Sequence, residues 1–421
     1  MRKVYLLGAI AVMCGMALGA ILENTNIQVE INGDGKVGAL AYKVDIQNNN
    51  VNDASMRLKS SGTNVETQRV PGSEKVYPKS QLFVGYGSGI FSNLFIFTVA
   101  NIPDENNAVN QVNIITSRES TNLNVAHYVD ADVYGTIEND YAEPYNSANY
   151  VVTTQETKDR YVGFTGRCSS QAPSSFMIGD MEKVALQVQT SVLPNTIQTN
   201  ESPNLASALA YPQQNVDREA VRVTSKLMIG VNNTEIQQLT NTDNAPVYFK
   251  GYGTLTDQKA SFSQKFKKSL TDTMKISFCI DMTDHASVMA NLSDFDIAFY
   301  VGSDLFFLPG DGTETKVKKN QRLHKVVDPK GGVKKLDIKT KSDGRMKVTF
   351  SISKATIGGA TGLNSQSATG KARQMFLPFT YAMIGTSATD TAKKGKVWIA
   401  SGSFPMSVDV KQGKNAKGKL K

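Results

Sequence analysis

The sequence predicts an all-β protein made of two antiparallel β-sandwich-like domains joined by a polar linker. Three observations carry this expectation. Apolar residues recur at every second position in segment after segment, glycine-bearing turn pairs separate those segments, and stretches with the period of an amphipathic helix are scarce. Strict alternation sends one set of side chains to a core and the other to solvent, the signature of half-buried antiparallel strands.

Residues 1–19 read as an export signal. Arg2 and Lys3 form a short basic start, residues 4–18 are nearly all apolar, and Ala17 and Gly19 place small residues at a signal-peptidase site. The apolar run is shorter than the roughly 20 residues that cross a bilayer. The expectation is a mature chain that begins near Ala20, is extracytoplasmic (secreted, periplasmic or at the cell surface), and has no membrane span once the signal is removed.

Residues 20–190 read as an acidic N-terminal β domain. Ile27, Val29 and Ile31 alternate with Gln28 and Glu30, and Asn32-Gly33-Asp34-Gly35 follows as a turn. Gly85-Tyr86-Gly87-Ser88-Gly89 reads as a glycine hairpin between two apolar strands; it lacks the lysine and hydroxyl of a phosphate loop. Residues 191–222 are rich in Asn, Gln, Ser and Pro, lack alternation, and read as a linker or long loop, with short helices expected at 203–210 and 217–223.

Residues 223–410 read as a basic C-terminal β-sandwich domain. Alternation is clear at Met274, Ile276, Phe278 and Ile280, at Phe295, Ile297, Phe299 and Val301, at Met346, Val348, Phe350 and Ile352, and at Met406, Val408 and Val410. Asp343-Gly344 has the chemistry of a tight hairpin turn. Residues 411–421, mostly Lys, Gly and Asn, read as a disordered tail.

The net charge of +8 conceals a division. Residues 1–210 hold 14 basic and 20 acidic side chains, and the remainder holds 32 and 18. Such asymmetry speaks to association, not to fold. It suggests as partners another copy of the chain, acidic half to basic half, or an anionic envelope polymer. Carbohydrate is a further candidate. Nucleic acid is not expected, because no aromatic-basic motif accompanies the lysines and the chain carries an export signal.

One stretch, residues 271–357, carries a strand ending in Asp281, the segment Asp294-Phe295-Asp296-Ile297-Ala298-Phe299-Tyr300-Val301-Gly302, a Pro309-Gly310-Asp311-Gly312 turn, the element Gly331-Gly332-Val333-Lys334-Lys335-Leu336-Asp337-Ile338, and a closing hairpin through Asp343-Gly344. It resembles uncharacterised β-sandwich modules of secreted bacterial proteins. The resemblance implies an envelope or extracellular setting and no activity or site residues.

Candidate chemistry is sparse. His127, His285 and His324 are too dispersed for a zinc site, and no G-x-S-x-G nucleophile elbow occurs. Glu30, Asn32 and Asp34 match the first positions of a calcium loop, but Ala41 stands where the closing acid is needed, so a β-turn is the preferred reading and no cofactor is expected. Asp281, Asp294 and Asp296 share one surface if their strands pair, which would suit calcium or the paired acids of glycoside hydrolysis. Tyr134, Tyr141 and Tyr145 lie in an acidic aromatic stretch suited to stacking on sugars or a protein partner. Cys14 leaves with the signal, so Cys168 and Cys279 remain as the one available disulfide pair. The leading expectation is an exported non-catalytic protein of surface structure or adhesion. The alternatives are a carbohydrate-binding protein or a secreted hydrolase.

Overall fold

A computed structural model describes residues 19–77, 79–104, 106–135, 140–145, 150–155, 159–188, 192–197, 204–241, 247–285, 294–308, 315–318, 321–327, 332–386 and 395–421. Residues 1–18 of the expected export signal and residues 309–312, expected as a turn, lie outside them.

The described residues form three large sheets, antiparallel apart from two short parallel pairings. The first sheet runs in the order Ala20–Glu23, Ile27–Ile31, Val37–Tyr42, Asp53–Ser60, Thr121–Asp130, Leu205–Ala210, Ser175–Asp180, Thr196–Ile197. The middle sheet runs Asp140–Tyr145, Tyr150–Gln155, Tyr161–Cys168, Val221–Gly230, Ala108–Ser117, Leu94–Asn101, Ser80–Gly87, Thr67–Arg69. The third runs Asp304–Leu308, Phe295–Val301, Gly370–Gly385, Val397–Lys411, Asn415–Leu420, Thr256–Lys265, Asp272–Asp281, Arg345–Ala355, Val333–Thr340, Gln321–Val327, Thr315–Lys318.

The layers follow from which faces are apolar. Ile27, Val29 and Ile31 of the first sheet pack with Phe164, Leu227 and Ile229 of the middle one. The opposite face of the middle sheet, with Leu82, Phe97, Val99 and Val112, packs on Tyr300, Ile384, Val397 and Ile399 of the third. A sheet covered on both faces needs continuous apolar strands, and Leu94–Asn101 and Ala108–Ser117 are buried throughout. The third sheet folds back on itself around Phe278, Phe299, Phe350, Phe379 and Phe404. Phe379 and Phe404 stack at 4.5 Å and Phe299 and Phe350 at 4.6 Å between ring centroids. Each such side chain removed from water contributes about 1.5–3 kcal/mol, and the apolar layer between the middle and third sheets joins the two halves.

The predicted alternating strands all form, and Lys341 donates to the Arg345 carbonyl across the Asp343-Gly344 turn, where Gly344 takes φ 80°. Other expectations are corrected. The stretch expected as a linker contains strands: Leu205–Ala210 is fully buried in the first sheet and Gln214–Val216 pairs with Thr121–Asp130. Leu205–Ala210 shows no alternation because small residues are covered on both sides, and neither it nor 217–223 is helical. The lysine-rich tail is not loose. Asn415–Leu420 pairs with both Val397–Lys411 and Thr256–Lys265, with Ala416 and Gly418 turned inward between the lysines. Cys168 and Cys279 form no bridge; each is a separate buried thiol, and Cys279 donates to Asp257 at 3.3 Å.

Candidate functional site: a polar cleft inside the first sandwich

The strand Asp53–Ser60 meets its neighbour Val37–Tyr42 through a single register pair, Val37 with Ala54. The first sheet therefore splays at this point, and the layer between it and the middle sheet is left open as a cleft of about 540 Å³. That size suits a small-molecule or sugar-sized ligand.

Its floor is the middle sheet. Period two along Leu94–Asn101 sends Phe97 and Val99 to the third sheet and Ile96 and Thr98 toward the first. On the next strand Gln111 and Asn113 share the inward direction with Thr98. Thr98 Oγ1 donates to Asn113 Oδ1 at 2.8 Å, and Gln111 Nε2 donates to the Gly35 carbonyl at 2.6 Å. Asn113 is 3% exposed, and its Nδ2 has no hydrogen-bond partner among the described residues. A buried amide left so costs about 1–3 kcal/mol. A sandwich interior is an unfavourable place for such a group unless something else satisfies it.

The rim carries charges of both signs. Arg57 pairs with Asp53 at 2.7 Å and lies 5.3 Å from the Tyr128 ring centroid. Lys36 pairs with Asp34 at 2.9 Å, and Arg69 pairs with Glu74 while covering the Phe83 ring at 4.6 Å. Lys59 has no ion pair among the described residues and completes the rim with Asn64, Glu66 and Gln68.

The residues singled out from the sequence lie elsewhere, apart from Asp34 on this rim. Asp34 accepts from the Lys36 backbone at 3.2 Å, so Asn32–Gly35 is a turn, and Glu30 is exposed on its strand. Among the described residues no group of three His, Cys, Asp or Glu is placed to hold a metal ion. Tyr141 and Tyr145 sit on Asp140–Tyr145, at the edge of the middle sheet remote from the cleft strands. Tyr141 is exposed. Tyr145 stacks on Tyr150 at 5.3 Å and donates to Glu143 at 2.9 Å. Tyr134 lies in the turn Val133–Gly135, and its side chain is outside the described residues.

The three aspartates are not brought to one surface, because Asp272–Asp281 and Phe295–Val301 are not neighbours in the third sheet. Asp281 is exposed; hydrogen bonds from the Thr283 hydroxyl and backbone hold its carboxyl below the usual range. Asp294 offers its carbonyl to Thr386, and Asp296 accepts from Tyr77. Trp398 is only 5% exposed, stacked 5.3 Å from Tyr248, and offers no open platform.

The sequence did hold a signal for the cleft. Thr98 interrupts an apolar run, and Gln111 and Asn113 interrupt the next one. Polar residues at inward positions mark a wet interior.

No protein-family model matches the sequence, and no curated protein matches it. Among solved structures, a bacterial glucoamylase complexed with acarbose is similar over 54% of this chain at 11% identity and a TM-score of 0.39; the chain spans about a third (34%) of that enzyme. A galactose mutarotase-related enzyme from Lactobacillus acidophilus is similar over 51% of this chain and 99% of its own length, at 8% identity and a TM-score of 0.34. A polysaccharide lyase is similar over 78% of this chain and 46% of its own, at 13% identity and a TM-score of 0.35.

Proposed function

We propose that this protein is an exported carbohydrate-binding protein that holds a polyhydroxylated ligand in the cleft between its first two sheets. The observation that carries this is the buried row Thr98, Gln111 and Asn113 lining the cleft, with the Asn113 Nδ2 unpartnered among the described residues. A ligand with several hydroxyls satisfies such a floor, whereas an apolar ligand would seal the amide away from water. Aromatic stacking is not available to a flat ring, because Arg69 covers the Phe83 face. Export rests on the basic and apolar character of residues 2–18.

The test is calorimetric titration of the purified chain with a panel of neutral and acidic oligosaccharides. Binding by at least one panel member is expected. Asn113→Leu and Thr98→Val are expected to weaken it by about 10- to 100-fold, the loss of one or two buried hydrogen bonds, with circular dichroism unchanged. Absence of binding across the panel, or binding that ignores both variants, rejects the reading.

A further inference from the structure

The outer face of the third sheet carries a ladder that the cleft does not use. Cross-strand register places Lys419 beside Ser261, Ser261 beside Lys275, Lys275 beside Ser351, Ser351 beside Lys335, and Lys335 beside Lys325. Directly opposed residues share a face. Here it is the face away from the core, since Met274, Ile276, Phe350, Ile352 and Leu336 all point inward. Adjacent strands thus present ammonium groups alternating with hydroxyls in one line across the sheet. None of these four lysines has an ion pair among the described residues. Acids on this face, such as Asp337 and Asp257, are engaged by Lys339 and Lys341.

We propose that this face docks a linear anionic polysaccharide lying across the strands. The charge spacing argues for that partner. Lys419, Lys275 and Lys335 are each two strands apart, about 9.6 Å at the usual interstrand distance of ~4.8 Å. That interval is comparable to the repeat of an extended disaccharide. Duplex DNA is far denser, with a charge about every 1.7 Å along its axis. Single-stranded nucleic acid is held by aromatic platforms, and the residues in this line are Lys and Ser only. The serine hydroxyls complement a sugar chain, donating and accepting between the charges. Lys335 directly opposite Lys325 is a like-charge pair that destabilises the sheet by itself. An anionic chain across the row reverses that sign.

The proposal goes beyond the cleft and is tested apart from it. The probe is hyaluronan oligosaccharide, with one carboxylate per disaccharide, against neutral dextran and duplex DNA. Binding to the full chain is measured at low and moderate salt. The expected result is hyaluronan binding that weakens steeply as salt rises, no dextran binding, and a higher melting temperature in the complex. Lys275→Glu with Lys335→Glu is expected to lower affinity by about tenfold or more and to flatten the salt dependence by about one unit of slope for each lysine–carboxylate pairing removed. The same charge change at Lys43→Glu, in the turn after Val37–Tyr42, with Arg167→Glu on the middle sheet, leaves binding intact, as does Asn113→Leu in the cleft. Hyaluronan binding that ignores the Lys275 and Lys335 changes overturns the proposal. So does loss on Asn113→Leu, which assigns the polymer to the cleft. Tighter binding of DNA than of hyaluronan at equal salt overturns the polysaccharide assignment, and salt-sensitive self-association abolished by the lysine pair assigns the face to a second copy of the chain.

Discussion

The Tyr77 hydroxyl donates to the Asp296 carboxylate at 2.7 Å, tying a short edge strand of the middle sheet to the third sheet. Burial and the nearby carboxylate push the phenol above its ordinary range, so it stays a donor. Asp296, which by sequence was a candidate acid for glycoside chemistry, is thereby a structural acceptor between layers. Tyr77→Phe is expected to destabilise by about 1–2 kcal/mol, the cost of a charged acceptor left half-buried. Asp296→Ala together with Tyr77→Phe should cost less than the sum of the two single changes, because the two share an interaction. Urea midpoints of the four proteins measure it, and additive losses would show that the contact carries no coupling.

Gly166 is a point of close approach between the first two sheets. A Cβ there would meet the Tyr211 hydroxyl oxygen at 2.3 Å, the Thr224 carbonyl at 2.8 Å and His127 Nδ1 at 2.9 Å. The first and third are a hydrogen-bonded pair, 2.8 Å apart and fully buried. Gly166→Ala cannot be absorbed by a flexible surface chain, so a loss of about 1–3 kcal/mol is expected from overpacking. An unchanged melting temperature would show that the layers part freely.

How far the sequence revealed this molecule depended on which face each strand buries. Strands with one wet face, such as Asp272–Asp281 and Arg345–Ala355, alternate and were legible. Leu205–Ala210, buried on both sides with small residues, carries no period and read as linker. Asn415–Leu420 misled in the opposite way. Its lysines belong to the solvent face of a strand, and only Ala416 and Gly418 hint at an inner face. The cleft was less legible. The polar interruptions at Thr98, Gln111 and Asn113 were in view, but their meeting with Arg57, Lys59 and Lys36 depends on which sheet lies opposite. Local periodicity does not encode that. The paired-acid idea failed for the same reason, since strand order separates Asp281 from Asp296.

Cys168 and Cys279 should titrate as two thiols in denatured, unreduced protein. Burial pushes the Cys168 thiol up to about 12, and burial with the Asp257 hydrogen bond raises Cys279. Reaction needs the thiolate, so native labelling should be slow at both. Asp257 is the exposed lid over Cys279, held by Lys341 at 3.0 Å. Asp257→Ala is expected to speed labelling at Cys279 several-fold and leave Cys168 unchanged. Peptide mapping after timed labelling separates the two, and equal acceleration at both sites would point to global opening instead.

In mildly acidic solution two buried groups pull stability in opposite directions. Burial, then the charges of Asp132 and Asp53, raises the Asp130 carboxyl from 3.8 to about 7. Between those values the native chain keeps a proton that the unfolded chain releases, so this group's contribution falls as pH rises. Burial lowers His127 from 6.5 to about 3. Between those values the unfolded chain takes up a proton that the native chain refuses, so this contribution is lost as pH falls. Each slope is at most about 1.4 kcal/mol per pH unit, and the two windows overlap between about 4 and 6.5. There they offset one another. Asp130→Asn should therefore stabilise the protein above pH 7, by about 2 kcal/mol once partial relaxation is allowed for, and should expose a steep loss of stability on acidification. His127→Gln, which can keep a hydrogen bond to Tyr211, should do the reverse and expose a decline from about pH 4 to 7. Denaturant unfolding of the three proteins across that range is the measurement. Parallel curves would mean that neither group titrates differently in the folded chain.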